Sequence, residues 1–373
     1  MRYRRMPIEV ESPEEVGYGT IRCNLAESSI RDRRLGDLAL EVDLAACVLQ
    51  YGDHRGHPAF RAALAAESGC RPEEVLLTAG AAGALFLVHT TLLAPGDHLV
   101  VLRPNYATNL ETPRAIGCEV SHLDLTFERG WRYTADDIAA LLRPNTRLVS
   151  LTTPHNPTGV VLPPPELARI AELCARHGCR LLVDETYRDL SFAGAPPLAT
   201  RLGEHVLSVA SLSKAYGLPG LRLGWLLTRD AALATTFLAA KEQVMIGGPV
   251  LDEEIGWQVY RRRAELLPAI VAGARRGLAT VAAWIAGEAA LEWVAPEGGV
   301  VCFPRIRAAA GVDVERFHRT LTSEFATFVG PGHWFEQDRR HMRLGFGWPT
   351  EVELAEGLAN VSRALAAARG AGA

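Results

Sequence analysis

The 373-residue chain lacks the marks of several protein classes. None of its seven cysteines forms a Cys-x-x-Cys pair or lies beside a histidine at metal-ligand spacing, so we expect reduced, mostly buried thiols and no metal. No uninterrupted apolar run reaches the roughly 18 residues of a membrane span, and no apolar stretch follows the basic N-terminus as in a signal peptide. A net charge of −4 favours neither nucleic acid nor a membrane as partner. We therefore expect a cytoplasmic, globular protein.

Hydrophobic residues make up 48% of the chain, and from about residue 75 short β-rich runs alternate with longer amphipathic stretches. This rhythm is typical of parallel strands joined by helical crossovers, and it predicts an α/β fold. The continuous apolar character of the runs suits a sheet buried on both faces. The predicted strands are 75–78, 98–102, 147–152, 180–184 and 205–209, and the predicted helices between them are 83–93, 134–142 and 164–176.

The pattern changes after about residue 250. Long helical stretches at 252–286 and 352–368 are interrupted by short β-like runs around 299–303 and 342–346. This mixture predicts a second, smaller α+β domain. The predicted division is a large domain over 45–250, and an N-terminal arm plus small domain over 1–44 and 251–373.

Lys214 lies just beyond the last predicted strand, in a turn rich in small residues. A lysine that is partly desolvated and close to other cations loses basicity and becomes a nucleophile towards an aldehyde. The hydroxyls of Ser211 and Ser213, with the guanidinium of Arg222, can bind a phosphate on the same ligand. The alternative is a surface cation, but surface lysines rarely follow a buried strand. The turn therefore predicts a site for a phosphorylated aldehyde.

Asp184 ends the apolar run 181–183, where a buried carboxylate is costly without a cationic partner. A protonated ring nitrogen on the same ligand would be such a partner, and the carboxylate would keep that nitrogen protonated. The alternative is a salt bridge or a helix cap at the end of a strand. Asp184 taken alone leaves both interpretations open.

Three weaker signals accompany Lys214 and Asp184. Tyr187 and Asn156 can both hydrogen-bond a phenolate oxygen, which lowers the basicity of an adjacent imine. The small residues of 78–83 let the backbone approach a phosphate at the start of a helix. Taken alone, 154–159 is a turn signal and 78–83 a tight strand-to-helix turn. Because these signals occur together with Lys214 and Asp184, they strengthen the prediction of a ligand site.

These residues, in this order and spacing, resemble the class I and II aminotransferases of the aspartate aminotransferase superfamily, of fold type I. The resemblance runs from about Leu44 to the C-terminus, and the block around Lys214 is its most specific part. Residues 214–222 and 298–300 are more loosely similar to the capreomycidine synthase branch, which includes enzymes acting on arginine derivatives. The resemblance rests on Gly80, Ala81, Ala82, Tyr106, Asn156, Pro157, Asp184, Tyr187, Ser211, Leu212, Ser213, Lys214, Arg222 and Arg343.

The resemblance implies pyridoxal 5'-phosphate (PLP) as cofactor, a mostly parallel sheet of the seven-stranded type, and transfer of an amino group between an L-amino acid and a 2-oxo acid (EC 2.6.1 type). Lys214 would hold the cofactor as a Schiff base and move the α-proton. Arg343, unless it is an ordinary strand arginine, would bind the substrate's α-carboxylate beside Asn156. The other implied contacts join Asp184 to the ring nitrogen, Asn156 and Tyr187 to the ring oxygen, Tyr106 to the ring face, and Gly80, Ala81, Ala82, Ser211, Ser213 and Arg222 to the phosphate.

In this family a tyrosine at the position of Tyr51 usually reaches the phosphate of the neighbouring subunit, which implies a homodimer with shared active sites. The chain departs from the family at Ala82, where a hydroxyl residue is common, and at 24–30, which lacks the familiar glycine-rich stretch. Because 24–30 lines the substrate pocket in relatives, we expect Glu27 to receive an amino or guanidino side chain. A solvated Glu27 is the alternative.

Two other functions compete with transamination. A PLP lyase or cyclase that removes a β-substituent shares its early chemistry with a transaminase, and motifs hardly separate the two. A PLP-sensing transcription regulator would carry a winged-helix domain ahead of the aminotransferase-like part. The stretch before Tyr51 shows no helix-turn-helix pattern, so we favour an enzyme.

Overall fold

The computed structural model describes residues 1–43 and 45–369. Leu44, near which the family resemblance was expected to begin, and residues 370–373, the end of the predicted small domain, lie outside the described residues. The α-helices of the described ranges are α1 (Pro7–Glu11), α2 (Pro13–Val16), α3 (Pro58–Ser68), α4 (Gly80–Leu92), α5 (Ala107–Ile116), α6 (Ala135–Ala139), α7 (Pro164–His177), α8 (Ala231–Val244), α9 (Val250–Tyr260), α10 (Arg263–Ala286), α11 (Val314–Ser323) and α12 (Glu351–Ala368). The strands are β1 (Cys23–Asn24), β2 (Val75–Ala79), β3 (His98–Arg103), β4 (Glu119–Asp124), β5 (Thr146–Thr152), β6 (Arg180–Asp184), β7 (Val206–Ser211), β8 (Leu223–Thr228), β9 (Leu291–Glu292), β10 (Val301–Cys302), β11 (Arg305–Ile306), β12 (Thr327–Phe328), β13 (Gly330–Pro331) and β14 (Met342–Gly345).

A seven-stranded sheet in the order β2-β8-β7-β6-β5-β3-β4 forms the centre of the molecule. Strands β3 to β7 pair in parallel, whereas β8 runs antiparallel to both of its neighbours. Along β6, Leu181 and Val183 pack into one hydrophobic cluster and Leu182 into another. Alternate residues thus enter cores on opposite faces. The predicted α/β class and the mostly parallel, doubly covered sheet are confirmed.

The five strands predicted from apolar runs are all present, with ends that coincide or differ by at most two residues. The predicted helix at 83–93 begins earlier, at Gly80, and the one at 134–142 is the shorter α6. The prediction of one helical region over 252–286 is wrong, because α9 and α10 are separated at Arg261 and Arg262. In the large sheet, two strands, β4 and β8, had no predicted counterpart. The first is a half-exposed edge strand, and the second contains a glycine.

The short strands outside the large sheet join the two ends of the chain. β1 pairs in parallel with β12, and β10, β14 and β13 form a small antiparallel sheet. Helix α12 packs against α11 and α10. We retain as a proposal the division into a large domain over 45–250 and a small domain with an N-terminal arm. The pairing of β1 with β12 supports it, because it joins the arm to the C-terminal part.

One helix of the described ranges, α10, is long and apolar enough to cross a membrane by length and composition alone, with a mean hydropathy of 1.3. Arg275 and Arg276 interrupt its apolar run. Its residues Ile270, Val281 and Ile285 pack into the largest hydrophobic cluster. A single helix with these contacts is weak evidence for a membrane span.

The seven cysteines all lie within the described residues and are free thiols there. Five are buried and two are half-exposed, so the prediction of mostly buried, reduced thiols agrees with the structure. The buried thiols are those of Cys23, Cys70, Cys174, Cys179 and Cys302.

Candidate active site

The candidate site lies at one edge of the large sheet. β2, β5, β6 and β7 end at this edge, and β8, which runs the other way, starts there. The register pairs Thr152 with Asp184, and Ser211 with Gly224. The antiparallel direction of β8 explains why Arg222 lies close to Ser211 in space. The sheet thereby collects residues that are more than 140 positions apart in the sequence, from Gly80 to Arg222.

Lys214 follows β7 and points its amine at the N-terminal arm. Its Nζ donates a hydrogen bond to Ser28 Oγ at 3.1 Å. Burial lowers the pKa of Lys214 below its usual value, and the charges of Arg343 and Arg222 act in the same direction. Those of Glu27 and Glu14 oppose them. A larger fraction of this amine is therefore neutral near pH 7 than in an exposed lysine, which makes it a better nucleophile.

Asp184 ends β6 and is 6% exposed. Its Oδ1 accepts a hydrogen bond from the backbone N–H of Thr186 at 3.0 Å. Burial raises the pKa of the Asp184 carboxyl above its usual value. Within residues 1–43 and 45–369, no cationic side chain forms an ion pair with it. The site therefore offers a buried carboxylate that a cationic group of a ligand can satisfy.

The turn between β2 and α4 is shaped around Arg222. Gly80 has a φ of +69°, and a Cβ on it would lie 2.7 Å from Arg222 Nη2. A Cβ on Gly224 would lie 2.6 Å from the backbone nitrogen of Ala81. Only glycine fits at either position. The guanidinium thus lies beside the first turn of a 13-residue helix, whose free N–H groups attract anions.

Two hydroxyl residues border this turn from β7 and the loop after it. Ser211 and Ser213 are both buried, and Ser211 Oγ accepts a hydrogen bond from the Ser213 backbone N–H at 3.3 Å. Ser211 also pairs in register with Gly224, the residue packed on the start of α4. The serines, the guanidinium of Arg222 and the helix N-terminus together fit a phosphate.

Tyr187 enters the site from the loop after β6 and Arg343 from β14, and both are buried. The Tyr187 hydroxyl donates to the backbone oxygen of Ser28 at 2.8 Å. Arg343 Nη1 donates to Asn156 Oδ1 at 3.2 Å, and Nη2 donates to the backbone oxygen of Ala26 at 2.7 Å. Its Nε has no hydrogen-bond partner among the described residues. Arg343 therefore keeps donor capacity for an anionic ligand.

Sequence reasoning expected the segment 24–30 at the substrate pocket through the family resemblance, but it missed the contacts that residues 26–28 make with the other predicted site residues. Ser28 contacts both Lys214 and Tyr187, and Ala26 contacts Arg343. The sequence carried no signal for this, because serine and alanine are common residues and their partners lie between 159 and 317 positions away. The segment joins three predicted site residues that the large sheet alone does not hold together.

Tyr106 and Tyr51 have different positions. Tyr106 caps the start of α5 and is half-buried. Burial raises the pKa of its hydroxyl, which lies near enough to Arg222 and Asp184 for their charges to affect it. Tyr51 is 82% exposed and makes no hydrogen bond within the described residues. The structure therefore brings Tyr106 to the site and leaves Tyr51 on the surface of its own chain.

Comparison with known proteins identifies the family. A family model described as aminotransferase class I and II matches residues 45–360. The chain belongs to the class I and II aminotransferase family. Capreomycidine synthase of Streptomyces vinaceus is 32% identical over 359 residues, 93% of this chain and 91% of the relative. Arginine–pyruvate transaminase of Pseudomonas aeruginosa is 30% identical over 305 residues, 79% of this chain and 77% of the relative.

The crystal structure of a PLP-dependent cyclase has the same fold as this aminotransferase-family chain. It aligns with a TM-score of 0.87 and 31% sequence identity, covering 98% of each chain. The resemblance noted in the sequence is therefore confirmed, and the protein is a PLP-dependent enzyme of fold type I. The residues present fit that cofactor, because Asp184 is a buried carboxylate without an ion-pair partner in the described chain and Gly80 and Gly224 leave room at a phosphate-sized turn.

Asp184→Asn is expected to stabilise the cofactor-free protein and to weaken cofactor binding. The folded-state pKa of this carboxyl is raised, so stability falls as pH rises from the unfolded pKa, near 4, through the folded one. Near pH 7 the neutral amide removes this loss, and we expect the melting temperature of the cofactor-free protein to rise by about 1 to 3 °C. The gain should vanish at about pH 4. The Kd for PLP should rise at least about tenfold because an interaction of roughly 1.5–3 kcal/mol is weakened.

Asp136→Asn is the matched control, since its side chain is 86% exposed. This substitution should change neither the melting temperature nor the Kd measurably. A lower melting temperature for cofactor-free Asp184→Asn at pH 7, or an unchanged affinity for PLP, contradicts the assignment of Asp184 as partner of a cationic ring nitrogen.

Proposed function

We propose that this family member is an aminotransferase that moves an amino group between an L-amino acid and a 2-oxo acid. The observation that supports it is the joint placement of Lys214 and Arg343. The first is an amine with a lowered pKa, the second a buried guanidinium with free donor capacity, and both contact the segment 26–28. One can move a proton while the other holds a carboxylate.

In the proposed reaction Lys214 Nζ would hold the cofactor until the amine of the substrate takes its place. The freed amine would then take the proton from the α-carbon of the substrate and return it to a different carbon. PLP, when bound, supplies a ring that withdraws electrons from that α-carbon. Arg343 and Asn156 hold the α-carboxylate. Asp184 keeps the ring nitrogen protonated. Tyr187, again with Asn156, hydrogen-bonds the ring oxygen, which lowers the basicity of the neighbouring nitrogen.

The remaining assignments concern how the chain holds the cofactor. The half-buried ring of Tyr106 lies where it can cover the face of the cofactor ring, near Asp184. The phosphate is assigned to the start of α4 and the loop after β7, where positive charge and free N–H groups meet. Its proposed contacts are Gly80, Ala81, Ala82, Ser211, Ser213 and Arg222.

The chain has two lysines, Lys214 and Lys241, which gives the proposal a direct test. Both are partly or fully buried, and burial lowers the pKa of each. Reduction of the PLP-loaded protein with borohydride, followed by peptide mass spectrometry, should place the cofactor on Lys214 and not on Lys241. The amine of Lys241 donates to the backbone oxygen of His54, outside the group of residues assigned above to the cofactor. Labelling of Lys241 in place of Lys214 contradicts the assignment.

The reaction itself is tested with a panel of amino donors and 2-oxo acids. We expect a new amino acid to form in equal amount to the oxo acid consumed. Lys214→Ala should lower the rate at least about a hundredfold, the lower end of what a positioned general base contributes. Lys241→Arg is the control and should retain most activity. Release of ammonia with no transfer to any oxo acid would count against transamination.

A PLP-dependent cyclase or lyase is the second candidate. The observation that favours it is the similarity to capreomycidine synthase over 93% of the chain and to a PLP-dependent cyclase over 98%. The residues assigned above to the cofactor would serve either reaction. Product analysis separates the two, because a cyclase keeps the substrate nitrogen in its product and consumes no oxo acid.

We propose further that the substrate carries a positively charged side chain. Glu27 is half-buried beside Lys214, and its Oε1 accepts hydrogen bonds from Tyr18 Oη at 3.2 Å and Asn24 Nδ2 at 3.3 Å. Within the described residues it forms no ion pair. A half-buried carboxylate whose only hydrogen-bond donors are neutral groups can bind a cationic group of a substrate. One relative is named an arginine–pyruvate transaminase, which agrees with this chemistry.

Glu27→Gln tests the substrate class. Loss of a charge-assisted hydrogen bond should lower kcat/KM for arginine by about 10- to 100-fold, while kcat/KM for alanine changes little. Glu324→Gln, at an exposed carboxylate after α11, is the matched control and should leave both values unchanged. If the preference for basic over neutral donors is the same in Glu27→Gln and wild type, Glu27 is a solvated residue and the assignment is wrong.

The proposed assembly is a homodimer with shared active sites. Val48, Leu49 and Tyr51 are 68%, 79% and 82% exposed. Val244 and Ile246, also exposed, lie nearby, because a Cβ on Gly247 would be 3.8 Å from the backbone oxygen of Gly52. Exposed apolar groups on adjacent segments form the kind of patch that protein partners cover. A second copy covering it would bring Tyr51 towards a neighbouring phosphate.

Subunit mixing tests the shared site. Tyr51→Ala and Lys214→Ala should each be strongly impaired. If Tyr51 acts across the interface, co-refolded equal amounts should recover activity at about one site in four, since each heterodimer contains one intact site. No recovery in a mixture that forms dimers by sedimentation contradicts a shared site.

The cytoplasmic location and the absence of nucleic acid or a membrane among the partners are also proposals. The exclusion of nucleic acid and of a membrane rests on the small net charge and on the interspersed basic and acidic residues. The proposed partners are an amino acid, a 2-oxo acid and a second copy of the chain.

A further inference from the structure

A hydrogen bond links the two segments that carry Lys214 and Tyr187. Tyr216 follows Lys214 by two positions, and Asp189 follows Tyr187 by two. The Tyr216 hydroxyl donates to Asp189 Oδ2 at 2.7 Å. The tyrosine is 1% exposed, and the side chain of Asp189 is 18% exposed. We propose that Tyr216 and Asp189 are positioning residues, which fix the amine of Lys214 relative to the hydroxyl of Tyr187. This inference rests on the roles proposed above for those two groups.

The same two groups are also joined on the opposite side by Ser28. Its Oγ accepts from Lys214 Nζ at 3.1 Å, and its backbone oxygen accepts from the Tyr187 hydroxyl at 2.8 Å. A ligand that bonds both Lys214 and Tyr187 must displace these contacts. The link between Tyr216 and Asp189 involves neither reacting atom, so it persists when a ligand binds. It can therefore preserve the spacing of the two groups in the loaded enzyme.

The half-buried carboxylate of Asp189 belongs to a larger polar cluster. Arg188 Nη1 lies 3.2 Å from Asp189 Oδ1 and 2.9 Å from Glu67 Oε1. Glu67 also accepts from the Tyr260 hydroxyl at 3.0 Å and pairs with Arg263 at 3.3 Å. Burial raises the pKa of Asp189, and the hydrogen bond from Tyr216 opposes that rise. The cluster thus contains two carboxylates and two guanidinium groups.

Stability alone is a poor reason for such a cluster, since replacing buried ion pairs with apolar residues is often neutral or stabilising. A hydrogen bond differs from an apolar contact in its narrow range of distance and angle. It fixes the relative position of the groups that it joins, whereas apolar surfaces can slide. A geometric role for the bond between Tyr216 and Asp189 accounts for a polar pair at a position where phenylalanine and leucine would pack.

The cluster also connects the site to the C-terminal helices. Tyr260 is the last residue of α9 and Arg263 the first of α10, so the break between these helices lies beside Glu67. The Arg263 guanidinium lies 4.4 Å from the Tyr260 ring centre, and the Tyr216 and Tyr260 rings lie 6.3 Å apart. The cluster therefore fixes the position of the turn that carries Lys214 relative to the α9–α10 junction, in addition to its attachment to the sheet.

Tyr216→Phe removes the hydroxyl and leaves the ring. Because the Tyr187 hydrogen bond is expected to lower the basicity of the nitrogen joined to the cofactor, loss of its alignment should raise that basicity. We expect the pH midpoint of the bound PLP absorbance change to rise by about 0.5 to 1 unit. We expect kcat to fall about tenfold while KM for the amino acid stays within about twofold.

Asp189→Asn keeps an oxygen acceptor for Tyr216 and should hold the midpoint within about 0.3 units of wild type.

Tyr133→Phe is the matched control, since this buried tyrosine has no hydrogen-bond partner for its hydroxyl among the described residues. It should leave the midpoint and both kinetic constants unchanged. The proposal is overturned if Tyr216→Phe moves the melting temperature but not the midpoint, or if Asp189→Asn shifts the midpoint as far as Tyr216→Phe. The midpoint is read on bound cofactor without any substrate, so the comparison decides the inference even if the enzyme proves to be a cyclase.

Discussion

The burial of charge at one edge of the sheet is the constraint on which the site depends. Lys214, Asp184 and Arg343 are withdrawn from water, and each pKa moves towards the neutral form because of that burial. The described chain offsets this cost only in part, through hydrogen bonds with Ser28, Thr186, Asn156 and Ala26. A cofactor with an aldehyde and a basic ring nitrogen, and a substrate with a carboxylate, supply the missing partners. The site is therefore organised for ligands at the expense of stability in their absence.

The N-terminal arm completes what the sheet leaves open. β1 pairs with β12, and the backbone N–H of Gly345, at the end of β14, donates to Leu25 oxygen at 2.7 Å. A Cβ on Gly345 would lie 1.9 Å from the backbone oxygen of Glu27. Glycine at this position lets the arm lie directly against the strand that carries Arg343. Close backbone packing thus brings Ala26, Glu27 and Ser28 to the ends of strands far away in the sequence.

Much of this arrangement could be predicted from local sequence signals. Apolar runs located five strands of the sheet, and polar residues at their ends located Lys214, Asp184 and Asn156, since parallel strands end at one edge. Long-range contacts left no comparable signal. Ser28 lies 186 residues from Lys214 and looks like any other serine. The hydrogen bond between Tyr216 and Asp189 also depends on how two loops pack, which periodicity does not encode.

Two elements that sequence reasoning missed or misread have different physical causes. β8 contains Gly224, which weakens a strand pattern, and its reversed direction is what places Arg222 in the site. The break between α9 and α10 falls among arginines that favour helix, so propensity predicts no interruption. The tertiary contacts of Tyr260 and Arg263 with Glu67 lie at this break.

Apart from Asn156, which is proposed for both, the contacts proposed for the cofactor and those proposed for the substrate lie on different parts of the chain. Strand ends of the large sheet provide the former, whereas the N-terminal arm and β14 provide Glu27 and Arg343. A change in the arm can therefore alter the substrate without disturbing the phosphate turn or Asp184. The search for what selects the substrate therefore begins with the arm and β14 rather than with the phosphate turn.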